Sequence, residues 1–77
     1  MTAQTMQDVM TRKPFQAFRV ILSSGQSYDV SHPEVALLTR NELIVGVGEQ
    51  EEGIPARFKI CALLHITTVE SMTAAPK

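Results

Sequence analysis

Few side chains in this chain have the chemistry of catalysis or metal binding: His32, His65, the single cysteine Cys61, and the adjacent carboxylates Glu51 and Glu52. A zinc-type centre needs several Cys, His or carboxylate ligands at suitable spacing, and neither histidine is accompanied by such a set. No metal and no cofactor is expected. His32, followed by Pro33 and Glu34, reads as a residue that caps a bend through a ring hydrogen bond, so His32 and Pro33 mark a structural bend. His65 reads as a satisfied, semi-buried corner residue. A nucleophilic Cys61 would need a nearby base in an accessible, electropositive setting, yet its flanks Ile60, Ala62, Leu63 and Leu64 are apolar. Burial as a small hydrophobe is expected instead. Glu51 and Glu52 lie in a segment with glycine and proline that reads as exposed, whereas carboxylates that do acid–base work act from enclosed sites, so these read as solvated. No catalytic residue is expected, and the chain does not read as an enzyme.

Arg19, Arg57 and Lys59 are the candidates for nucleic-acid contact. Arg57 and Lys59 share a strand face, and Arg19 joins them in a small basic patch if the first strand and the strand carrying 57 and 59 lie close together. Three cations without an aromatic platform on that face fall short of a strong phosphate-binding surface, and ordinary solvated charge is the favoured reading. The formal net charge of −1 provides no field that draws the whole molecule to nucleic acid or to an anionic membrane.

These residues must be positioned by a small body. With 77 residues, 44% hydrophobic and 19% charged, the composition is that of one folded domain. Aromatic residues are few, Phe15, Phe18, Tyr28 and Phe58, so Val, Ile, Leu and Met must fill the core. A chain this short buries only roughly 60% of its unfolded surface, which makes pairing with a second copy a common remedy. Met6, Val9 and Met10 recur at helical spacing, and Thr5 with Asp8 has capping-box spacing, predicting a helix over about 3–13 that stops before Pro14. Its apolar stripe is read as covering the domain's own core, or that of a second copy in a swapped dimer.

A strand-rich body over about 15–70 follows. Phe18, Val20 and Leu22 alternate with Arg19, Ile21 and Ser23, Ser23-Ser24-Gly25-Gln26 is turn chemistry, and Ser27 to Val30 resumes the alternation, together a hairpin. Val35 to Leu38 fits either a strand or a helical turn. Leu43 to Val47 is a third strand, with Gly46 and Gly48 marking a bulge or a close backbone approach. Gly48 to Pro55 reads as a mobile, solvated loop. Arg57 to Cys61 alternates, with Phe58 and Ile60 opposite Arg57, Lys59 and Cys61; Ala62 to His65 is a corner and Ile66 to Glu70 the last strand. The tail, 71–77, is expected to fray. The summed pattern is mainly β with an N-terminal helix: a five-stranded, strongly bent antiparallel sheet curled into an SH3-like or Sm-like open barrel, or a flatter sheet with the helix across one face.

Residues Pro14-Phe15-Gln16-Ala17-Phe18-Arg19-Val20-Ile21-Leu22-Ser23-Ser24-Gly25 and Tyr28-Asp29-Val30-Ser31-His32-Pro33-Glu34 resemble a family of short uncharacterised bacterial proteins. Its pattern is roughly P-F-x-P-F-R-hydrophobic-x-L-S-x-G, then a strand ending V-x-H-P-E. Leu63-Leu64-His65-Ile66-Thr67-Thr68-Val69-Glu70 resembles that family's closing segment, while Ala17 stands where the family tends to have a second proline. The family implies no activity. The order of elements also resembles the Sm-like fold, and Leu64 to Val69 resembles the closing segment of its bacterial members; that likeness implies a ring-forming RNA binder. The basic residue preceding that segment is replaced here by Leu63 or Leu64, and the glycine-containing second strand does not match.

The functional expectation is a non-enzymatic, cytoplasmic module that forms a homo-oligomer, through an exposed strand edge, and engages a protein partner. The alternative is an Sm-like RNA-binding small barrel using Arg19, Arg57 and Lys59. No membrane association is expected, because no apolar run reaches the roughly 18 residues of a span and the N-terminus lacks a signal peptide's pattern.

Overall fold

The computed structural model describes residues 1–72. A helix, α1 (Ala3–Met10), is followed by β1 (Phe18–Leu22), β2 (Ser27–Val30), a 3-10 turn (Pro33–Val35), β3 (Ala36–Leu38), β4 (Glu42–Glu51), β5 (Ile54–Ala62), a second 3-10 turn (Leu63–His65) and β6 (Ile66–Ser71).

The helix is shorter than its apolar spacing predicts, and its cap lies elsewhere. Thr2, not Thr5, is the N-cap: its hydroxyl oxygen accepts the Thr5 amide at 3.1 Å. Asp8 accepts from the Gln4 side chain at 3.0 Å instead of serving a capping box. At the other end, both the amide and the hydroxyl of Thr11 donate to the Gln7 carbonyl, at 2.9 and 2.8 Å. That double closure ends the helix at Met10, before Arg12 and Lys13 are reached. Met6 is fully buried, and Val9 and Met10 pack against the same cluster, so the helix covers its own core.

Among the described residues the strands form two antiparallel sheets of three, in orders β2-β1-β6 and β3-β4-β5. One five-stranded sheet was expected; the difference has two physical causes. The segment that fitted either strand or helical turn is both in succession, because Pro33 opens a 3-10 turn, closed by the Val35 amide on the His32 carbonyl at 3.2 Å, after which Ala36–Leu38 pairs with β4. This turn also breaks the ladder between β2 and β3, leaving two sheets. They do not close into a barrel.

The β1–β2 hairpin has the expected register, Phe18 opposite Val30 and Ile21 opposite Ser27. Gly25, at φ +92°, takes the left-handed position of its turn and donates to the Leu22 carbonyl at 2.9 Å. The acidic segment expected to be a loop is mostly ladder: β4 runs through Glu51 and β5 begins at Ile54, with Glu52 (φ 54°) and Gly53 (φ 81°) as a tight two-residue turn. Positive φ at both positions matches the strand twist, so the hairpin needs no longer loop. The register shifts between Val47 and Gln50, where Gly48 at φ +87° forms the bulge.

The core joins α1 and both sheets through Met6, Phe18, Val20, Val30, Val35, Leu43, Val45, Cys61, Leu63 and Ile66. Ser71, placed in the frayed tail by its sequence, is the last residue of β6, and the Met72 amide donates to the Ala17 carbonyl at 2.9 Å. The remainder of that tail, 73–77, lies outside the described residues.

Candidate interaction surface

The β3-β4-β5 sheet buries only one of its faces. In register, Leu43 and Cys61 oppose each other on the buried side, with Val45 on the same side of β4. The residues between them point out. Leu37, Ile44 and Ile60 form one cross-strand row, because Leu37 pairs with Ile44 and Ile44 with Ile60. Phe58, opposite Gly46, lies two residues further along β5 on the same face. Leu37, Phe58 and Ile60 are 61%, 64% and 61% exposed, and Ile54 near the hairpin turn is exposed as well. Strand-mates Gly46, Ala56 and Ala62 contribute no charge to this face; Glu42, at one end, is engaged by the Thr39 hydroxyl at 2.5 Å. Isolated exposed apolar residues are ordinary; a contiguous row of large ones makes this face the candidate surface.

Two edges border this face: β5 pairs only with β4, and β3 only with β4, among the described residues. Pro55, lacking an amide donor, is in the strand position an edge tolerates. Leu64, in the turn after β5, is 90% exposed.

The cations singled out from the sequence are divided between the two sheets. Arg19 lies on β1, between β2 and β6, and its Nε donates to Asp29 Oδ1 at 2.7 Å, the one ion pair among the described residues. The bond to Asp29, then its charge, raise the Arg19 pKa above its ordinary value. Glu70 stands opposite Arg19 across the β1–β6 ladder. Arg57 and Lys59 are on β5, exposed, in the other sheet; the sheet pairing does not bring Arg19 beside them.

The His32 ring makes no capping hydrogen bond; its backbone carbonyl holds the Pro33 bend. His65 is exposed, not semi-buried, although its carbonyl accepts the Ser23 amide at 2.7 Å. Cys61 is 2% exposed, and burial pushes its thiol pKa up, partly offset by Lys59. A protonated, covered thiol is a structural group. Glu51 and Glu52 are exposed at the hairpin turn. No group of three His, Cys, Asp or Glu side chains that could hold a metal occurs among the described residues, and none of their helices is long and apolar enough to cross a membrane.

Leu37, Ile44, Phe58 and Ile60 were not singled out as a site from the sequence. The alternation that separates Phe58 and Ile60 from Cys61 is legible there, but an apolar face is ordinarily assigned to the core. Comparison of the chain with family models, with curated proteins and with solved structures finds no match.

Proposed function

We propose that this protein is a non-enzymatic, self-associating interaction module that works in the cytoplasm and uses the outer face of β3-β4-β5, with the bordering β5 edge, as its binding surface. The observation that carries the reading is the uncharged row Leu37–Ile44–Ile60 with Phe58 beside it, all on the face the core does not use. One of only three phenylalanines is spent on this surface in a chain short of core aromatics. Covering it removes apolar area from water, which is the main driving force of association. A lone buried thiol with no disulfide partner fits a reducing compartment.

Light scattering on gel-filtration peaks over a range of loading concentrations tests the reading. A mass above that of one chain, lowered by Phe58→Ser without loss of the circular-dichroism spectrum, is the expected result; a monomer at every concentration rejects it.

A second reading, RNA binding by a small barrel-like domain, draws on Arg57 and Lys59, which make no ion pair among the described residues. Against it, Arg19 is engaged by Asp29. RNA binding predicts elevated absorbance at 260 nm in the purified peak and affinity that falls with salt.

A further inference from the structure

We propose that the free edge of β6 takes up a strand of a partner protein: an extended peptide that pairs antiparallel with Val69 and Ser71, turns an apolar side chain toward the hollow beside α1, and brings a carboxylate to Arg12. β6 belongs to the β2-β1-β6 sheet, so this site goes beyond the self-association reading and does not depend on it.

Among the described residues β6 pairs only with β1, and the phase of that ladder tells which backbone groups are left over. The Met72 amide donates to the Ala17 carbonyl, and in an antiparallel ladder bonded and non-bonded pairs alternate. Glu70, opposite Arg19, and Thr68, opposite Ile21, therefore turn their N–H and C=O groups to β1, whereas Val69 and Ser71 turn theirs away. These groups form a row that a further strand satisfies, and β6 has neither the proline nor the lysine that commonly blunts such an edge. Thr67, at the register shift, donates its hydroxyl to the Ile21 carbonyl at 3.1 Å, so the regular edge begins at Thr68.

What lies beside that edge narrows the partner. Val69 and Ser71 line one hollow with Met1, Val9, Arg12 and the buried Phe18. Residues directly opposite each other on paired strands share a face, so a strand on β6 turns the residues facing Val69 and Ser71 to the hollow's side. Met1, Val9 and Val69 are apolar and partly buried there, which suits an apolar side chain. Arg12 is the one charged residue of that lining. Its guanidinium donates to the neutral Gln16 side chain at 3.3 Å and makes no ion pair among the described residues. Gln16 adjoins the Ala17 that holds Met72, which places Arg12 at the Ser71 end. An acidic residue two positions before the one facing Ser71 meets it. A second copy of β6 fits less well: the residues it would turn to this side, Val69 and Ser71 again, carry no carboxylate, and its Glu70 lies on the other face.

The test is a titration of blocked hexapeptides into the full chain, followed by amide NMR and hydrogen exchange. The probe, Glu-Thr-Val-Thr-Val-Thr, sets its valines opposite Ser71 and Val69 and its glutamate at Arg12. Binding should shift the amides of Val69 and Ser71 and slow their exchange, and methylating the two valine nitrogens should abolish it. Replacing the glutamate by lysine should raise Kd by about fivefold or more. Arg12→Glu, with the circular-dichroism spectrum retained, should reverse the preference between the glutamate and lysine peptides. Unmoved Val69 and Ser71 amides, equal binding of the methylated peptide, or indifference to the charge swap overturns the proposal. So does an edge already protected in the chain alone and released on dilution, which assigns it to a second copy. Phe58→Ser and the self-association it reads are untouched by these outcomes, so the two readings fail separately.

Discussion

The ring of Pro55 occupies the space that a β-carbon on Gly46 would need, and the Val35 carbonyl oxygen closes the same space from β3's side. Glycine at position 46 is therefore required by close approach, not by its backbone angles, and it lets the β4–β5 hairpin fold back on itself just before the Gly48 bulge. Gly46→Ala should destabilise the protein by about 1–3 kcal/mol, the usual cost of overpacking, and Gly46→Val by more. Urea denaturation reads this directly; an unchanged midpoint for Gly46→Ala would mean that Pro55 moves aside freely.

Leu43 and Ile44 are neighbours on β4 with opposite surroundings, and Phe58 shares the exposed side. A chain of 77 residues has a total stability of about 4–12 kcal/mol. Leu43→Ala should remove about 2–5 kcal/mol of it, enough to leave a visible unfolded fraction. Phe58→Ala, assayed at a concentration low enough to keep the chain monomeric, should change stability by within about 0.5 kcal/mol, as exposed substitutions do. Equal losses for the two would contradict the assignment of faces.

The helix depends on its first residue outside the helix. Thr2→Ala removes the acceptor for the Thr5 amide and should cost about 0.5–2 kcal/mol, whereas Asp8→Ala, which the sequence spacing would have ranked as the capping change, should cost less. Helical circular dichroism and the unfolding midpoint of the two variants decide between the caps.

Burial of Cys61 makes stability depend on pH in the alkaline range. Its folded-state pKa is raised above the ordinary 9.0, so above that pH the folded chain holds a proton that the unfolded chain has released. Stability must then fall as pH rises through the ordinary value, while well below it the thiol is protonated in both states and contributes no slope. Cys61→Ala should lose this part of the alkaline slope. Thiol reagents at pH 8 should modify the native protein only as fast as it opens, and immediate stoichiometric labelling would place the sulfur at the surface.

Arg19 and Asp29 lie half-exposed across the β1–β2 ladder. Asp29→Lys should lower the unfolding temperature more in low salt than in high salt, since solvent screens such pairs. A salt-independent loss would point to a packing role for the side chains.

Several features were determined by short-range chemistry and are legible from the residues alone. The alternation of Phe18, Val20 and Val30 about a Ser-Ser-Gly turn dictates the first hairpin, because period-two patterning and a glycine able to take positive φ act within a dozen residues. Glycines 46 and 48 mark a bulge or a close backbone approach in the sequence, and the structure has the approach at Gly46 and the bulge at Gly48. The ambiguity at Val35 to Leu38 was equally real, since a 3-10 turn and a three-residue strand leave the same apolar run.

What only the tertiary structure decided is which side of a pattern lies inside. Alternation places Phe58 and Ile60 opposite Cys61, but of β5 only Cys61 reaches the core that the helix and both sheets share, and its side is thereby the inner one. The same long-range pairing separates Arg19 from Arg57 and Lys59 and sets Leu37, Ile44 and Ile60 in one row across three strands. Burial is a property of what packs against a residue, and that partner comes from distant parts of the chain; the exposed apolar face therefore exists only once the two sheets have met.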